Sequence, residues 1–442
     1  MIKSISFRRY VVLLLSAGLA ACATQPDTAK TGKSVDRPPK PAAAILHTPP
    51  VFAPPQTDGT APVTDGQIRV GLLLPMTGPR AAIGTTFMNA AQMALFDFND
   101  PRLVVLPRDT KGTAEGAAAA AGDALTGGAQ LLLGPVFAHE VTAAAPVAQA
   151  QSRNLIGFST DQRVAGSGVY LLSFSPEQEV YRIISYARAQ GLTRIAALVP
   201  RTPYGERVAQ AYQQAVSASG GGALKLVYYT SNTEDMHTAV KQLADYDLRK
   251  ARLREEIARL SASTDPFAQT ALAELKNRDT FGEVEFDALL LADGGASLRA
   301  LAPLLQYYDV NPGTVRLLGT GLWNSAEAQK EVALNGGWFP APPSDMSQNF
   351  RSRIQAQYGN LPTPVEGLAY DAMALAVVLV SQQTDAGAAV FTQAALTNPN
   401  GFAGILGIFR LREDGLAERG LAVMEISGGA AQQIDAAPEQ FN

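Results

Sequence analysis

Cysteine occurs once in the 442 residues, at Cys22, and histidine only three times, at His47, His139 and His237. The single cysteine leaves no partner for a disulfide, and the wide spacing of the histidines argues against a histidine metal cluster. Charged residues make up 17% of the chain and the net charge is −4, so no basic surface for nucleic acid is expected. Phosphate-binding loops and nucleophile motifs are also missing. We therefore expect no metal, no cofactor and no enzymatic activity.

The residues before the cysteine predict a signal peptide over residues 1–21. Lys3, Arg8 and Arg9 form a charged start, and the apolar run that follows is too short to span a bilayer. This pattern is typical of a protein that is exported from the cytoplasm.

Leu19-Ala20-Ala21 before Cys22 resembles the bacterial lipobox, in which the cysteine is lipidated and becomes the first mature residue. The alternative is an ordinary secreted protein with a chance cysteine. In the lipoproteins that it resembles, the residue after the cysteine directs sorting. Ala23 at this position, rather than aspartate, implies a lipid anchor in the outer membrane with the protein facing the periplasm.

Residues 22–66 form a proline-rich tether. The stretch from residue 23 to 66 holds nine of the 28 prolines and a single aromatic residue, Phe52, so it cannot bury enough surface to fold. Its reach depends on its stiffness: a fully extended chain would span on the order of 130 Å, and a random coil roughly 35 Å.

A continuous apolar run over 68–74 begins a different pattern, in which strands alternate with helices. Continuous apolar strands are typical of parallel sheets buried on both faces, so the alternation predicts a doubly wound α/β fold. A second alternating stretch follows from Glu177. A two-strand hairpin, Gly407 to Leu411 with Leu421 to Ile426, is predicted near the end of the chain.

Residues 235–281 interrupt this alternation. Apolar residues such as Leu253, Ile257 and Leu260 recur there at helical spacing among charged residues, and Thr264-Asp265-Pro266 breaks the run. The pattern predicts an inserted helical hairpin. It is either a solvated helix pair without a special role or an arm that docks a partner.

Four short motifs together carry a resemblance to a known family. They are the run Val70 to Pro79 with Gly84, the pair Gly134-Pro135, the turn Pro203-Tyr204-Gly205, and Leu318-Gly319-Thr320. Over about 68–430 the chain resembles type I periplasmic binding proteins of the leucine/isoleucine/valine-binding kind. The lipobox with its tether, the charged insertion and the run Leu318 to Trp323 are similar to features of penicillin-binding protein activators.

The resemblance implies two doubly wound, three-layer α/β lobes joined by three crossovers. We expect these crossovers near Ser173 to Pro176, Trp338 to Pro340 and Gly404 to Gly407. The N-terminal lobe would then comprise 67–174 and 339–405, and the C-terminal lobe 175–338 and 406–434.

A ligand cleft is expected at the carboxyl ends of the parallel strands, where open α/β sheets bind their ligands. The candidate cleft residues are Thr77, Ile83, Ala138, His139, Glu140, Ser159, Thr160, Asp161, Tyr204, Asp293, Thr320 and Trp323.

Three of these positions argue against an amino-acid ligand. In the amino-acid binders, hydroxyls and free amides at a helix start hold the ligand carboxylate, whereas Glu140 here would bring a negative charge near it. Ile83 replaces an aromatic residue of many relatives, and Asp293 lies where a tyrosine-bearing segment is expected. The alternatives are that Glu140 is an ordinary first-turn acid and that Ile83 simply packs. A small polar ligand stays possible.

The leading functional interpretation is a non-catalytic binding module that activates a bifunctional penicillin-binding protein, a peptidoglycan synthase. The alternative is the solute-binding protein of a branched-chain amino-acid-type ABC transporter. The tether and Ala23 favour the first, because the receptor of an importer must reach the inner membrane.

Overall fold

The computed structural model describes residues 44–45, 66–218, 220, 224–359, 363–383 and 388–441. The predicted signal peptide and Cys22 lie outside these residues. So does the predicted tether, except for Ala44, Ile45 and Gly66. Among the described residues, no helix has the length and apolar character needed to cross a membrane.

The strands are, in chain order, β1 Ala44–Ile45, β2 Ile68–Leu74, β3 Leu103–Asp109, β4 Ala129–Leu133, β5 Asn154–Gly157, β6 Val169–Leu171, β7 Ile195–Pro200, β8 Lys225–Tyr229, β9 Ala288–Leu291, β10 Arg316–Leu318, β11 Trp338–Ala341, β12 Phe402–Gly404, β13 Gly407–Leu411, β14 Ala417–Arg419, β15 Ala422–Ser427 and β16 Ala430–Asp435.

The α-helices are α1 Ala81–Phe98, α2 Ala114–Thr126, α3 Ala138–Ala150, α4 Pro176–Ala189, α5 Pro203–Ala218, α6 Thr233–Leu243, α7 Tyr246–Ser261, α8 Pro266–Leu275, α9 Gly295–Tyr307, α10 Ala326–Gln329, α11 Ser344–Tyr358, α12 Gly367–Ser381 and α13 Gln393–Leu396. Short 3-10 turns lie at Gln162–Val164, Gly321–Trp323 and Val332–Leu334.

The first lobe is built on a parallel sheet with the strand order β3-β2-β4-β5-β6. Its central strand β2 is almost entirely buried, as a strand covered by helices on both faces must be. The alanine-rich helix α2 lies very close to this sheet. A Cβ on Gly71 would lie 2.8 Å from Ala124 Cβ, so only glycine permits that approach. Helices α1 and α12 cover the other face.

The second lobe is built on a sheet with the order β16-β15-β11-β10-β9-β7-β8. The strands β8, β7, β9, β10 and β11 run parallel, whereas β15 and β16 pair antiparallel at one edge. Helices α4 and α5 pack on one face, and α6 and α9 on the other. The two lobes together give the predicted α/β architecture, with parallel sheets flanked by helices.

Within the described residues up to β16, the chain crosses between the lobes at three places. It enters the second lobe between Leu171 and Pro176, returns between Ala341 and Ser344, and crosses again between Arg419 and Ala422.

The predicted third crossover near Gly404 to Gly407 is wrong, and so is the assignment of residues 406–419 to the second lobe. β12, β13 and β14 form an antiparallel set whose Phe402, Phe409 and Ala417 belong to the core of the first lobe. β1 pairs in parallel with β12 at the edge of this set, so the prediction that the whole of residues 22–66 stays outside the fold is wrong at Ala44–Ile45. The predicted hairpin is also wrong, because β13 pairs with β14, and β15 pairs with β11 and β16. Both errors arise because short apolar strands carry no signal for the sheet that they join.

The segment after β16 returns to the first lobe. Phe441 is 6% exposed, and the guanidinium of Arg410 lies 4.6 Å from its ring centroid. A Cβ on Gly401 would lie 2.7 Å from Phe441 Cε2, so the ring occupies a space that only glycine leaves free.

The insertion is shorter than predicted. Helix α6 packs Met236, Val240 and Leu243 into the core of the second lobe, so residues 235–243 are an ordinary sheet-covering helix. The inserted part is α7 with α8, which share a small core of their own. The sequence does not distinguish the core helix α6 from the inserted helix α7, because charged and apolar residues are mixed in the same way on both.

Candidate functional site

A cavity of about 300 Å³ lies between the two lobes. Its lining residues are mostly apolar, and they are Thr160, Phe174, Pro176, Glu179, Tyr204, Gly321, Leu322, Asn324, Pro340, Ala341, Pro342, Pro364, Val365 and Leu421.

All three crossovers contribute to the wall of this cavity. Phe174 lies on the first, Pro340 to Pro342 on the second, and Leu421 on the third. The cavity is therefore on the hinge side of the interlobe space, and a molecule bound there would contact the segments about which the lobes rotate.

Glu179 provides the one carboxyl group among the residues that line the cavity. It lies in the first turn of α4, and its side chain is 8% exposed. The amide N–H of Gly321 donates a 3.0 Å hydrogen bond to its Oε2. Burial raises the pKa of Glu179 to about 7, against which the Gly321 hydrogen bond acts only in part. The side chain can therefore gain or lose a proton near neutral pH.

Tyr204 lines the cavity at the start of α5. Its hydroxyl donates to Oγ1 of the fully buried Thr320 at 2.8 Å. Burial, together with the nearby Glu179, raises the pKa of Tyr204 far above its ordinary value, so its phenol stays protonated. Asp293 is held separately, by a hydrogen bond from the Tyr229 hydroxyl, and does not line the cavity.

Arg207 joins the two lobes beside the cavity. Its guanidinium donates to both carboxylate oxygens of Glu177, at 2.7 and 2.8 Å, and to the carbonyl of Thr160 in the first lobe at 2.8 Å. Gln162 of the first lobe also donates to Glu177, at 2.9 Å. These bonds hold the loop after β5 against the second lobe.

Except for Thr160, the predicted cleft residues of the first lobe lie away from the cavity. Thr77 donates its hydroxyl to Asp109 at 2.5 Å, and that contact fixes the loop after β2. Ile83 is 37% exposed on α1. His139 Nε2 lies 3.1 Å from the Gly112 carbonyl, and Ala138 opens α3 next to it.

Glu140 does not face a ligand, contrary to the predicted role. It is fully buried, where it accepts from the Thr110 hydroxyl at 2.5 Å and from the Phe137 amide at 3.1 Å. It belongs to the capping arrangement at the start of α3, which is the alternative that the sequence left open. The argument that Glu140 repels a ligand carboxylate therefore fails.

Among Ser159, Thr160 and Asp161, only Thr160 lines the cavity. Ser159 is buried and accepts from the Asp161 amide at 3.1 Å, and Asp161 pairs with Arg163 at 2.6 Å. Hydrogen bonds from Arg163 lower the pKa of Asp161, so it stays ionised.

Trp323 is also not a cleft residue. Its ring is fully buried in the second lobe, and a Cβ on Gly319 would lie 2.1 Å from it. The structure thus brings only Thr160 and Tyr204 of the predicted set into the cavity wall, with Thr320 behind Tyr204.

Glu179 and the proline-rich wall were missed by sequence reasoning. An acid in a first helical turn is normally exposed, and nothing in Ser175-Pro176-Glu177-Gln178-Glu179 separates the salt-bridged Glu177 from the buried Glu179. The helical period offers a weak signal, because Glu179 lies four positions, about one helical turn, before the buried Ile183. No cluster of three or more metal-ligating side chains was found among the described residues.

A family model described as periplasmic binding protein matches residues 67–431. The chain belongs to the periplasmic binding protein family. This family is generally non-enzymatic, and it implies a location outside the cytoplasm. The resemblance to the leucine-binding-protein-like, type I fold is thereby supported.

The matches to individual proteins are distant. An uncharacterized protein of Rickettsia prowazekii is 23% identical over 180 residues, which are 40% of this chain and 48% of that protein; the chain thus spans about half the length of this curated relative.

Among solved structures, a branched-chain amino acid ABC transporter periplasmic ligand-binding protein from Burkholderia xenovorans matches with a TM-score of 0.61 at 16% identity, over 85% of this chain and 95% of that one. The branched-chain amino acid substrate-binding protein of Streptococcus pneumoniae, solved with isoleucine, matches with a TM-score of 0.53 at 16% identity, over 84% of this chain and 100% of that one. At these identities the likeness concerns the fold.

Proposed function

We propose that this periplasmic binding protein is a non-catalytic, outer-membrane-anchored lipoprotein that stimulates a peptidoglycan synthase, a bifunctional penicillin-binding protein. The observation that carries the proposal is the helix pair α7–α8, which stands out from the second lobe as a surface of its own. A receptor that only binds a solute between its lobes has no need of this surface.

The helix pair is firmly built. Leu253 and Leu260 of α7 pack against Leu272 and Leu275 of α8. At its base, the buried Arg249 donates to the carbonyls of Gly282, at 2.6 Å, and Asp309, at 3.3 Å. A rigid pair of this kind presents its outer side chains in a fixed arrangement.

The exposed side chains of the pair are apolar and charged. Phe267 is 85% exposed and Leu248 is 52% exposed, while Arg252, Arg254 and Glu255 are exposed on α7. Exposed aromatic and arginine side chains are enriched in protein interfaces. The pair is therefore suited to a partner surface that combines apolar and charged groups.

The predicted anchor and the first part of the predicted tether, which lie outside the described residues, complete the argument. Because Ala44–Ile45 pair with β12, the stretch that separates the anchor from the fold runs from Cys22 to residue 43. Extended, a chain of this length spans on the order of 70 Å and would carry the folded lobes away from the outer membrane, toward the inner membrane. Confinement of both proteins to the periplasm also raises their effective concentration, so a weak contact is sufficient.

The polymerisation of glycan by the host's bifunctional synthase should increase when the soluble fragment from Gln67 onward is added. The double variant Arg252→Glu/Arg254→Glu should reduce this stimulation about tenfold, because it reverses two exposed charges of α7. Labelled lipid-linked precursor and gel analysis of the product measure the rate. Arg299→Glu, an exposed change on α9, is the matched control. An unchanged rate at saturating fragment, together with a failure to co-purify with the synthase, would discard the activator role.

A Cys22→Ala variant should move from the outer-membrane fraction to the soluble periplasmic fraction, because it lacks the lipidated cysteine. Density-gradient fractionation followed by immunoblotting measures the distribution. The Ala23→Asp variant is the companion test, and it should relocate the protein to the inner membrane. If Cys22→Ala stays in the membrane, the anchor is wrongly assigned.

The second candidate is a solute-binding protein of a branched-chain amino-acid-type transporter, and the interlobe cavity favours it. Among its described residues, however, the cavity wall offers a ligand carboxylate no lysine or arginine, and the Tyr204 hydroxyl and Gly321 amide already donate within the protein. A buried carboxylate is disfavoured unless a cation or several hydrogen-bond donors replace its hydration. We therefore expect leucine, isoleucine and valine to bind with a Kd above about 1 mM. Strong receptors bind their ligands several kcal/mol more tightly than this. Calorimetric titration of the fragment from Gln67 onward is the measurement. Micromolar binding of any of the three would promote the transporter role over the activator role.

A further inference from the structure

Among the described residues, the wall of the interlobe cavity has no cationic side chain. Four of its residues, Pro176, Pro340, Pro342 and Pro364, also have no backbone N–H. The Tyr204 hydroxyl donates to Thr320, and the Gly321 amide donates to Glu179, which leaves the side chains of Thr160 and Asn324 as neutral donors in the wall. An anion bound here would therefore lose its hydration and find no positive charge to replace it.

The same wall has one strong acceptor. The Oε2 atom of Glu179 takes the Gly321 amide, and no other hydrogen bond to this carboxyl group is found within the described part of the chain. Arg207, the nearest cation, has its guanidinium on Glu177 and on the Thr160 carbonyl. Glu179 is therefore a buried carboxyl group that faces an apolar space and has no cation of its own.

Such a group is costly unless something pairs with it. An isolated buried carboxylate is unstable, and a ligand that brings a positive charge removes the cost by forming a charge-assisted hydrogen bond. The rest of the cavity offers Phe174, Leu322, Val365 and Leu421 for an apolar body. The volume of about 300 Å³ is at the lower end for ligand sites, which suits a body the size of a phenylethyl or hexyl group.

We propose that the cavity binds a small amphipathic amine, whose apolar body packs against the proline-rich wall and whose ammonium group pairs with the carboxylate of Glu179. This inference rests on the proposed role as a binding protein, but not on the identity of the protein partner. It also differs from binding of an α-amino acid, because the described part of the wall offers no cation to pair with a second, negative charge.

The pairing predicts a pH dependence. Three groups act on Glu179: Glu177 on the same helix, which opposes its ionisation, Arg207 on α5, which favours it, and the protonated Tyr204. Because burial raises the pKa of Glu179 to about 7, the amine must bind an ionised form that is scarce at pH 6. Affinity should rise roughly tenfold between pH 6 and pH 8 and then stay constant until the amine itself loses its proton near pH 10.

The test is calorimetric titration of the full-length chain in detergent with 2-phenylethylamine, beside 2-phenylethanol and 3-phenylpropionate as neutral and anionic probes of similar size. We expect submillimolar binding of the amine at pH 8, at least tenfold weaker binding of the other two, and a loss of at least tenfold in Glu179→Gln. Glu140→Gln, which changes a buried carboxyl group outside the cavity, should bind like the parent. Leu322→Trp should fill the cavity from its exposed rim and abolish binding.

Equal binding of the alcohol, or an amine affinity that Glu179→Gln leaves unchanged, would overturn the proposal. So would the absence of heat and of any shift in unfolding temperature with the amine at pH 8. Circular dichroism of each variant separates loss of binding from loss of folding. If amine binding is observed but the synthase is not stimulated, the activator role fails and the ligand assignment stands; the reverse result rejects the ligand assignment alone.

Discussion

Glu179→Gln should raise the free energy of unfolding at pH 8 by on the order of 3 kcal/mol, the equivalent of the rise in the pKa of this carboxyl group from 4.5 to about 7. The folded state holds the proton more tightly than the unfolded state does. The contribution of Glu179 to stability is therefore greatest below pH 4.5, falls as the pH rises to 7, and is constant above that. Glutamine carries no charge and can keep the bond from the Gly321 amide, so the variant should lack this loss.

Urea denaturation followed by circular dichroism at pH 5 and pH 8 measures the effect. Glu177→Gln, two residues away, provides the contrast. Burial alone would raise the pKa of Glu177, but hydrogen bonds from Arg207 and Ser175 outweigh it and the pKa is lowered. This variant should therefore be less stable than the parent at pH 8. A Glu179→Gln protein that is no more stable than the parent at pH 8 would show that the carboxyl group is solvated or paired.

Arg419→Leu should destabilise the protein by about 3–5 kcal/mol, because it leaves Asp371 as a buried charge without a partner. Both side chains are almost fully buried, and Arg419 Nη1 lies 3.4 Å from Asp371 Oδ2. The guanidinium also lies 5.0 Å from the ring of Phe174 and 5.1 Å from that of Phe409. Burial raises the pKa of Asp371 to about 6 even with Arg419 present.

The loss is read from urea denaturation at pH 8. The double variant Asp371→Asn/Arg419→Leu should recover part of it, since it removes the unpaired charge. Arg102→Leu breaks a partly exposed pair, Arg102 with Asp100 at 2.6 Å, and should cost no more than about 1 kcal/mol. Equal losses in Arg419→Leu and Arg102→Leu would mean that burial of the Asp371 pair does not determine its contribution.

The sequence predicted the architecture well where a pattern reports burial directly. Continuous apolar strands such as 68–74 and their alternation with helices led to two parallel sheets, and the structure has them. The third crossover was misplaced because β13 and β15 are equally apolar, and the choice of sheet depends on pairing between distant segments. Local pattern carries no information about such pairing.

The site was predicted less well for a different reason. Strand ends place a cleft between the lobes, but the cavity is on the hinge side, and its character comes from prolines and one buried acid. Glu140 and Glu179 both occupy first helical turns, and both are buried. One caps its own helix and the other faces the cavity, and this difference depends on how α3 and α4 dock on their sheets.

The return of the chain to the first lobe limits how the lobes can move. Three crossovers that lie side by side allow the lobes to rotate relative to each other about one axis, which passes through the crossovers. Phe441 attaches the end of the β16 segment to the first lobe at a separate place, near Gly401 and Arg410. Wide rotation must either carry this attachment along or extract the aromatic ring, whose exposure to water costs about 2–3 kcal/mol. The amplitude of opening would then be set by a single phenylalanine side chain that is not among the residues lining the cavity.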